Sequence, residues 1–396
     1  MVKMNKYRGL VSPILVFLYC FLALLILSFP VQAKPSTERQ IEFSGFARVI
    51  AGQANDKLVE YDQSLDFTPD SLLGIQGDLA LTNSLSVTAQ LVGSFADKKN
   101  SGLEWLYLSY QPDSPWSFKL GRQRTAFFNY SDVQNVGYSY HWLKPPNEVY
   151  ASFMFSHIDG LAATYRATFP DATFSIEGTF GQFKDELAFE DRSYLTEIRD
   201  AASLFFSLEF EDLTVRAGYS TADFDIDDPV FAFAQMQFQQ AGFDELAQTF
   251  VIADTLEYYQ VGFSYDKFDY FLKGEWIRLT HDLAWIPHRE GYYISAGYVF
   301  ADYLFHLTYA KRDDTLSPIE VEFSPIPELQ PIAGLYQMIL GQLVIKDQES
   351  LILGVRNDLT EHVALKAELN FTTMEKYSSP YQPDSILGLI GIEWVF

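Results

Sequence analysis

The chain has 396 residues, and its 52 aspartates and glutamates outnumber its 28 lysines and arginines, which gives a net charge of −24 at pH 7. This acidic balance argues against nucleic-acid binding, which requires a basic surface. Its single cysteine, Cys20, lies in an apolar N-terminal run, so a fold held together by disulfides is excluded as well.

The first 33 residues have the pattern of a cleavable secretory signal. Three basic residues lie among the first eight, residues 11–29 are almost entirely apolar, and residues 31–33 form a small-x-small cleavage pattern. An uncleaved membrane anchor is the alternative. No run of 18 apolar residues follows, so we expect residues 34–396 to form one domain without a membrane-spanning helix.

From residue 41 onwards, short segments alternate between apolar and polar residues, as β-strands with two different faces do. In the first segment Ile41, Phe43 and Val49 share one parity, and Glu42 and Arg48 share the other. We predict sixteen such strands, at residues 40–52, 71–82, 85–91, 103–110, 116–124, 158–169, 172–180, 202–210, 213–220, 256–265, 268–278, 292–300, 303–311, 351–358, 363–371 and 385–396.

The predicted connections alternate strictly between tight turns and longer loops. The longer loops are residues 55–64, 97–102, 125–157, 181–196, 221–255, 281–290, 312–348 and 372–384. Long loops on one side only are typical of outer-membrane barrels, whereas a soluble domain rarely contains so many. Residues 231–247 and 332–343 carry short helical patterns, and we favour irregular loop over helix for both.

The last strand indicates how the sheet closes. Ile390, Ile392 and Trp394 lie on one face, and Glu393 lies on the other. A strand of about ten residues is long enough to cross a bilayer at a tilt, and in lipid its edge must pair with another strand. The last strand of a soluble sandwich is the alternative. Together with the loop pattern, this strand favours an all-β, 16-stranded antiparallel transmembrane β-barrel with short periplasmic turns and long extracellular loops.

Alternation also predicts which charged residues face the barrel interior, because a lysine or arginine facing mid-membrane lipid costs about 2–4 kcal/mol. The basic candidates are Arg48, Arg166, Arg216, Lys273, Arg356 and Lys366, and the acidic ones are Asp78, Glu104, Glu177, Glu209, Glu275, Asp358, Glu368 and Glu393. No sign dominates, which suits small hydrophilic solutes. For each charge, a solvated residue without a special role is the alternative.

The chain resembles the Gram-negative trimeric porin superfamily, in its branch of general and phosphate-selective-porin-like proteins. The resemblance lies in Phe43-Ser44-Gly45-Phe46, in residues 103–110, in Leu120-Gly121-Arg122-Gln123-Arg124 and in the terminal Phe396. It implies a homotrimer with one water-filled channel per chain, and a terminal aromatic that is read during membrane assembly. It also implies that the third outer loop, here residues 125–157, folds inward and narrows the channel.

Arg122 and Arg124 do not fit the alternation, because strict parity would turn both towards lipid. We predict a β-bulge at Gly121 that turns them inward, and a position beyond the apolar band is the alternative. The resulting hypothesis is a constriction with Arg48, Arg122 and Arg124 on its basic side and Asp132 and Glu148 on its acidic side, since rings of charge set pore selectivity.

The function predicted from these patterns is an outer-membrane channel for passive diffusion of ions and small hydrophilic solutes, surrounded by outer-membrane lipid. A channel selective for one solute, for example an anion such as phosphate, is the alternative within the same fold. An enzyme is disfavoured because the six histidines lie in no Gly-x-Ser-x-Gly or His-Glu-x-x-His motif. The loops could also serve as a receptor surface. We predict no cofactor or metal, since four aspartates at 223–228 lack a known calcium-binding spacing and favour a diffuse acidic surface.

Overall fold

A computed structural model describes residues 41–396 apart from 57–59, 97–100, 152–156, 190–191, 317–318, 342, 344 and 378–383, and it gives only the backbone of 186–189, 192–194 and 375–377. The predicted signal at residues 1–33 lies outside the described residues. Among the helices that are described, none has both the length and the apolar character needed to cross a membrane.

Within the described residues, sixteen antiparallel strands form one closed barrel in which each strand pairs with the next and the last pairs with the first. The strands are β1 Ile41–Ala54, β2 Leu72–Ala80, β3 Leu85–Ser94, β4 Gly102–Tyr110, β5 Trp116–Arg124, β6 His157–Thr168, β7 Thr173–Phe189, β8 Arg192–Phe210, β9 Leu213–Asp227, β10 Ala253–Asp266, β11 Tyr270–Thr280, β12 His288–Phe300, β13 Tyr303–Thr315, β14 Lys346–Thr360, β15 Val363–Tyr377 and β16 Ser385–Val395. The predicted fold class and strand number are confirmed.

Closure occurs where the alternation pattern requires it. Strand β1 pairs with β16 from Phe46 opposite Val395 to Ala54 opposite Leu387, so neither edge remains open. Large apolar side chains on the outer face are exposed, as Phe43 on β1 is, whereas Ile50 on the inner face of the same strand is fully buried. This arrangement is typical of a barrel with lipid outside and a filled interior.

Strands β7 and β8 are much longer than the alternation predicts. The sequence predicts a loop at residues 181–196, but β7 runs to Phe189 and β8 begins at Arg192. This prediction is wrong because both strands continue past residue 181, where Phe183 on β7 and Ile198 on β8 still lie on the buried inner face. The pairing shifts register between Gly181 and Phe183, which hides the alternation.

The long loops contain helices that we expected to be irregular. They are α1 Asn147–Tyr150, α2 Pro229–Gln240, α3 Asp244–Gln248 and α4 Gln330–Leu340, with 3₁₀ turns at Ser131–Val133, Gly137–Ser139 and Pro327–Leu329. Asp228 caps α2 by accepting a hydrogen bond from Val230 N at 2.7 Å. Phe238, Tyr336 and Trp285 pack together, so the extracellular loops have an apolar core of their own.

The third long loop folds into the barrel, as the resemblance implies. We call its described residues, 125–151, the inward loop. Its Trp142 and Leu143 are fully buried. Trp142 lies in one apolar cluster with Ile277 on β11 and Tyr293 on β12, and Leu143 lies in another with Ile50 on β1. The main core of the protein therefore lies between this loop and the inner wall.

Candidate channel lining and inward loop

One buried carboxylate holds two separate parts of the inward loop. Glu275 on β11 accepts hydrogen bonds from Asn129 N at 3.0 Å and from Tyr150 Oη at 2.9 Å. Gln260 on β10 donates to it at 3.0 Å. A buried charge is tolerated when it is hydrogen-bonded. Glu275 therefore joins the beginning and the end of the loop to one point on the wall.

Arg124, the last residue of β5, lies against the loop that follows it. It donates to Ser131 O and to Gln134 Oε1, both at 3.3 Å, and pairs with Glu104 on β4 at 2.8 Å. The pairing of β3 with β4 shifts register next to Glu104, so a β-bulge is present on this neighbouring strand. Arg124 and Glu104 thus form an ion pair at the base of the loop.

Two further predicted inward cations also contact the loop. Arg216 on β9 donates a hydrogen bond to Ala126 O. Lys273 on β11 pairs with Asp266 at 2.9 Å, and its ammonium lies 5.9 Å from the centre of the Tyr130 ring. Both side chains lie on the inner face, and each is shared between the wall and the loop.

A lysine on β15 contacts the middle of the loop through its backbone. Lys366 Nζ donates to the carbonyl oxygens of Gly137, Tyr140 and Trp142 at 2.7–2.8 Å. Its side chain is 0% exposed, and it pairs with Glu393 on β16. All three donor positions of the ammonium therefore have acceptors in the loop.

Arg356 on β14 continues this contact. Its Nη1 donates to Tyr138 O and Tyr140 O, each at 2.8 Å. Glu368 on β15 accepts a hydrogen bond from Leu143 N at 2.7 Å. The backbone of residues 137–143 is thus bonded to the wall formed by β14 to β16.

The first extracellular loop and the inward loop meet at an ionic cluster. Lys144 lies 2.5 Å from Glu60 and 3.3 Å from Asp70, while Arg48 donates to Asp70 O at 2.7 Å and to Tyr140 Oη at 3.2 Å. Burial raises the pKa of the Asp70 carboxyl, but the charges of Lys144 and Arg48 outweigh it, so this pKa lies below its usual range. Asp70 is therefore ionised at neutral pH.

Two residues of the inward loop that could have lined a constriction are buried instead. Glu148 accepts hydrogen bonds from Gln348 at 2.5 Å and from Ser350, both on β14. His141 Nε2 lies 2.9 Å from Ser295 Oγ on β12, and burial lowers the pKa of this imidazole well below its usual value. Both side chains face the wall and do not face water.

Several charged side chains of the inward loop and the inner face are exposed, some of them near the start of the loop. Asp132 on the inward loop is exposed, as are Lys119 on β5 and Arg166 on β6, which alternation places on the inner face. The Lys119 ammonium lies 5.1 Å from the centre of the Tyr107 ring. Glu177 on β7 is half-buried on the same inner face.

The predicted β-bulge at Gly121 is wrong. Pairing runs without a shift through Gly121 on both sides of β5, and the glycine has a φ of +131°. Arg122 pairs with Asp159 at 3.0 Å on the outer face, which it shares with the exposed Leu106 and Leu120. Arg122 therefore lies outside the barrel near the loop end, as the alternative interpretation stated.

The structure does not bring the five hypothesised constriction residues together. Arg48 bonds Tyr140 in the loop, Arg122 pairs with Asp159 on β6 and Arg124 pairs with Glu104 on β4, while Glu148 is buried against β14. Sequence reasoning also missed Lys119, and it placed Lys144 in the inward loop without a partner. The inward parity of Lys119 could have identified it, because the neighbouring Leu120 was placed outward. No sequence pattern indicates that Lys144 would reach the first loop.

Comparison with known proteins agrees with this architecture. The sequence model of a protein family described as Gram-negative porin matches residues 22–373, which is most of the chain. No curated protein sequence matches the chain. The family match and the closed barrel together indicate an outer-membrane channel for passive diffusion of solutes.

Solved structures with the same fold share little sequence with this chain. The trimer form of OmpT, an outer membrane protein of Vibrio cholerae, is 14% identical with a TM-score of 0.54, covering 90% of this chain and 99% of its own. OmpF of Salmonella typhi, solved with daunomycin, is 14% identical with a TM-score of 0.55, covering 90% and 98%. An anion-selective porin from Comamonas acidovorans is 13% identical with a TM-score of 0.52, covering 91% and 100%. At these identities the likeness shows the fold alone.

Proposed function

Because this chain belongs to the Gram-negative porin family and forms an outer-membrane channel for passive diffusion, we propose that ions and small hydrophilic solutes cross it between the inward loop and the inner wall of β5 to β7. Half of the fourteen predicted wall charges contact the loop and serve to attach it, namely Arg48, Arg216, Lys273, Glu275, Arg356, Lys366 and Glu368. The charges that act on a passing solute are then few.

The observation that supports this path is the exposure of opposite charges across it. Asp132 lies on the loop, while Lys119 and Arg166 lie on the wall, and all three are exposed. Glu177, on the inner face of β7, adds a second carboxylate to the wall. A mixed set of charges favours neither sign strongly, so we infer weak ion selectivity.

The twelve residues that sequence analysis assigned to the lumen then fall into three groups. Asp132 and Arg166 act on the solute, and Arg122 lies outside the channel. The remaining residues attach the inward loop to the wall: Arg48, Glu104, Arg124, Glu148, Arg216, Lys273, Glu275, Arg356 and Lys366.

Reversal potentials across a salt gradient in planar bilayers test this path. Asp132→Asn removes an exposed negative charge and is expected to shift selectivity towards anions, whereas Lys119→Gln is expected to shift it towards cations. Arg122→Gln is the matched control, because its charge lies on the outer face. Equal reversal potentials for Asp132→Asn, Lys119→Gln and wild type would place the path elsewhere.

We also propose that three copies assemble, each with its own channel, in contact with outer-membrane lipid. The OmpT structure described as a trimer form, which has the same fold, supports this assembly. Light scattering of the detergent-solubilised protein measures the mass of the assembly. A mass equal to one chain would contradict the proposal.

Finally, we propose that residues 1–33 are removed on export, that residues 34–396 form the mature channel, and that the channel has no enzymatic activity. The basic and apolar pattern of the first 33 residues supports the cleavage. Two of the six histidines, His141 and His306, are buried between the loop and the wall, where a substrate would not reach them. Mass spectrometry of the outer-membrane form gives its N-terminus, and a start other than residue 34 would contradict the cleavage site.

A further inference from the structure

The middle of the inward loop contacts the wall through its backbone as well as through side chains such as His141 and Trp142. Lys366 and Arg356 together donate five hydrogen bonds, at 2.7–2.8 Å, to the carbonyl oxygens of residues 137, 138, 140 and 142. Lysine and arginine commonly bond the last carbonyls of helical turns, and the 3₁₀ turn Gly137–Ser139 ends here.

The loop also approaches the wall closely at Gly137. A Cβ added to Gly137 would collide with the carboxylate of Glu393, the partner of Lys366. An alanine at this position therefore requires either the loop or the buried Glu393 carboxylate to move, without any change of charge. We call Lys366 and Arg356 together the clamp. The clamp and the close approach of Gly137 to Glu393 occur at the same place on the wall.

Lys366 is a poor candidate for a residue that acts on ions. Its side chain is 0% exposed, and that of Glu393 is 1% exposed, so neither meets water in the channel. A fully buried pair is neutral overall and contributes little field to the lumen. Breaking a buried ion pair is costly because it leaves a buried charge uncompensated. The pair therefore stabilises the position of the groups that it bonds.

We propose that Lys366 and Arg356 are positioning residues, which fix the open cross-section of the channel by holding the backbone of the inward loop. This inference rests on the proposed passage between that loop and the wall. The hydrogen bonds of the clamp to the loop go only to carbonyl oxygens, and the Arg356 guanidinium also lies 4.8 Å from the centre of the Tyr138 ring. The size limit for solutes then depends on Lys366, and the preference for ion sign does not.

Lys366→Met tests the clamp with two separate measurements. Liposome swelling with sugars of increasing size reports the cross-section, and the reversal potential reports the charge in the lumen. We expect a larger single-channel conductance and entry of larger sugars, with little change in reversal potential. Lys184→Met is the matched control, because Lys184 forms a similar pair with Glu197 at 3.3 Å but is exposed.

Two more variants separate position from charge and from folding. Gly137→Ala pushes the loop away from Glu393 without changing any charge, so it is expected to enlarge the channel as Lys366→Met does. Lys366→Met combined with Glu393→Met removes the uncompensated carboxylate, so heat stability on SDS gels should recover while the enlarged conductance remains. If either Gly137→Ala or this double variant folds and has wild-type conductance and size limit, the clamp does not position the loop.

The outcomes also distinguish this inference from the proposed function. A wild-type protein that gives no conductance would contradict the channel itself. A conducting wild type with a Lys366→Met variant that changes only its reversal potential would leave the channel in place and overturn the clamp, because Lys366 would then act as an ordinary lumen charge.

Discussion

Replacing Glu275 by alanine is expected to loosen the start of the inward loop without opening the barrel. The carboxylate accepts hydrogen bonds from Asn129 N and Tyr150 Oη, and both donors lie in the loop. A buried donor left without an acceptor costs about 1–3 kcal/mol. With both donors affected, the loop should lose about 2–6 kcal/mol of its attachment. Since about 1.4 kcal/mol corresponds to tenfold, opening of the whole inward loop, which includes residues 125–135, should become roughly 30-fold to 10⁴-fold more frequent.

Amide hydrogen exchange measured on the detergent-solubilised protein reports this opening directly. Peptides from residues 125–135 should exchange faster in Glu275→Ala, while peptides from β1 and β16 should not change. Glu275→Gln should have a smaller effect, because the amide oxygen still accepts one of the two bonds. Glu257→Ala is the control, since Glu257 accepts a hydrogen bond from the Tyr219 hydroxyl at 3.0 Å on the exposed outer face. A folded Glu275→Ala variant with wild-type exchange in residues 125–135 would refute the reasoning.

Three further predictions concern other parts of the structure. Gly121→Ala should lower the refolding yield, measured as the heat-modifiable band on SDS gels. A φ of +131° strains any residue other than glycine, and a Cβ at this position would collide with Leu106 O. An unchanged yield would contradict this prediction. Arg122→Ala should leave both conductance and reversal potential at their wild-type values, because its partner Asp159 shares the outer face, and a shift in either would place its charge inside the channel. Acid should loosen the inward loop. Burial lowers the pKa of His141, so protonation of this imidazole favours the released loop once the pH falls below the usual histidine pKa of about 6.5. The pKa of Asp70 is also lowered, so the stability that its carboxylate contributes is lost as the pH falls further, through the usual aspartate pKa of about 3.9. Conductance recorded from pH 7.5 to pH 4 checks the direction, His141→Gln should remove the upper part of the change, and a flat profile would contradict it.

The barrel was predictable because its determinants are local. Each strand carries its own alternation, so Phe43 and Ile390 could be assigned to the outer face and Glu393 to the inner face from the sequence alone. Lipid imposes the same requirement on every strand, which makes the pattern repeat. The prediction fails at β7 and β8, where the shift in register between Gly181 and Phe183 interrupts the alternation.

What covers each inward residue was not predictable. Alternation placed Lys366 and Glu275 on the inner face, but it could not indicate that a loop more than a hundred residues earlier in the sequence would bury both. The helices α2 and α4 were missed for a related reason. They are stabilised by packing against each other through Phe238 and Tyr336, and a helical pattern in one loop contains no information about its partner.

The pairing of β1 with β16 has a consequence for biogenesis. The pairing of β1 with β16, which runs from Ala47 opposite Trp394 to Gln53 opposite Gly388, joins the two ends of the described chain. The barrel can therefore close only through contacts between residues that are far apart in the sequence. Bringing such distant segments together lowers the conformational entropy of the chain before any stabilising contact between them forms. Until β16 pairs, the sheet formed by β1 to β15 has two unpaired edges, one on β1 and one on β15. Shielding these two edges during insertion therefore protects the unfinished barrel from pairing with other chains.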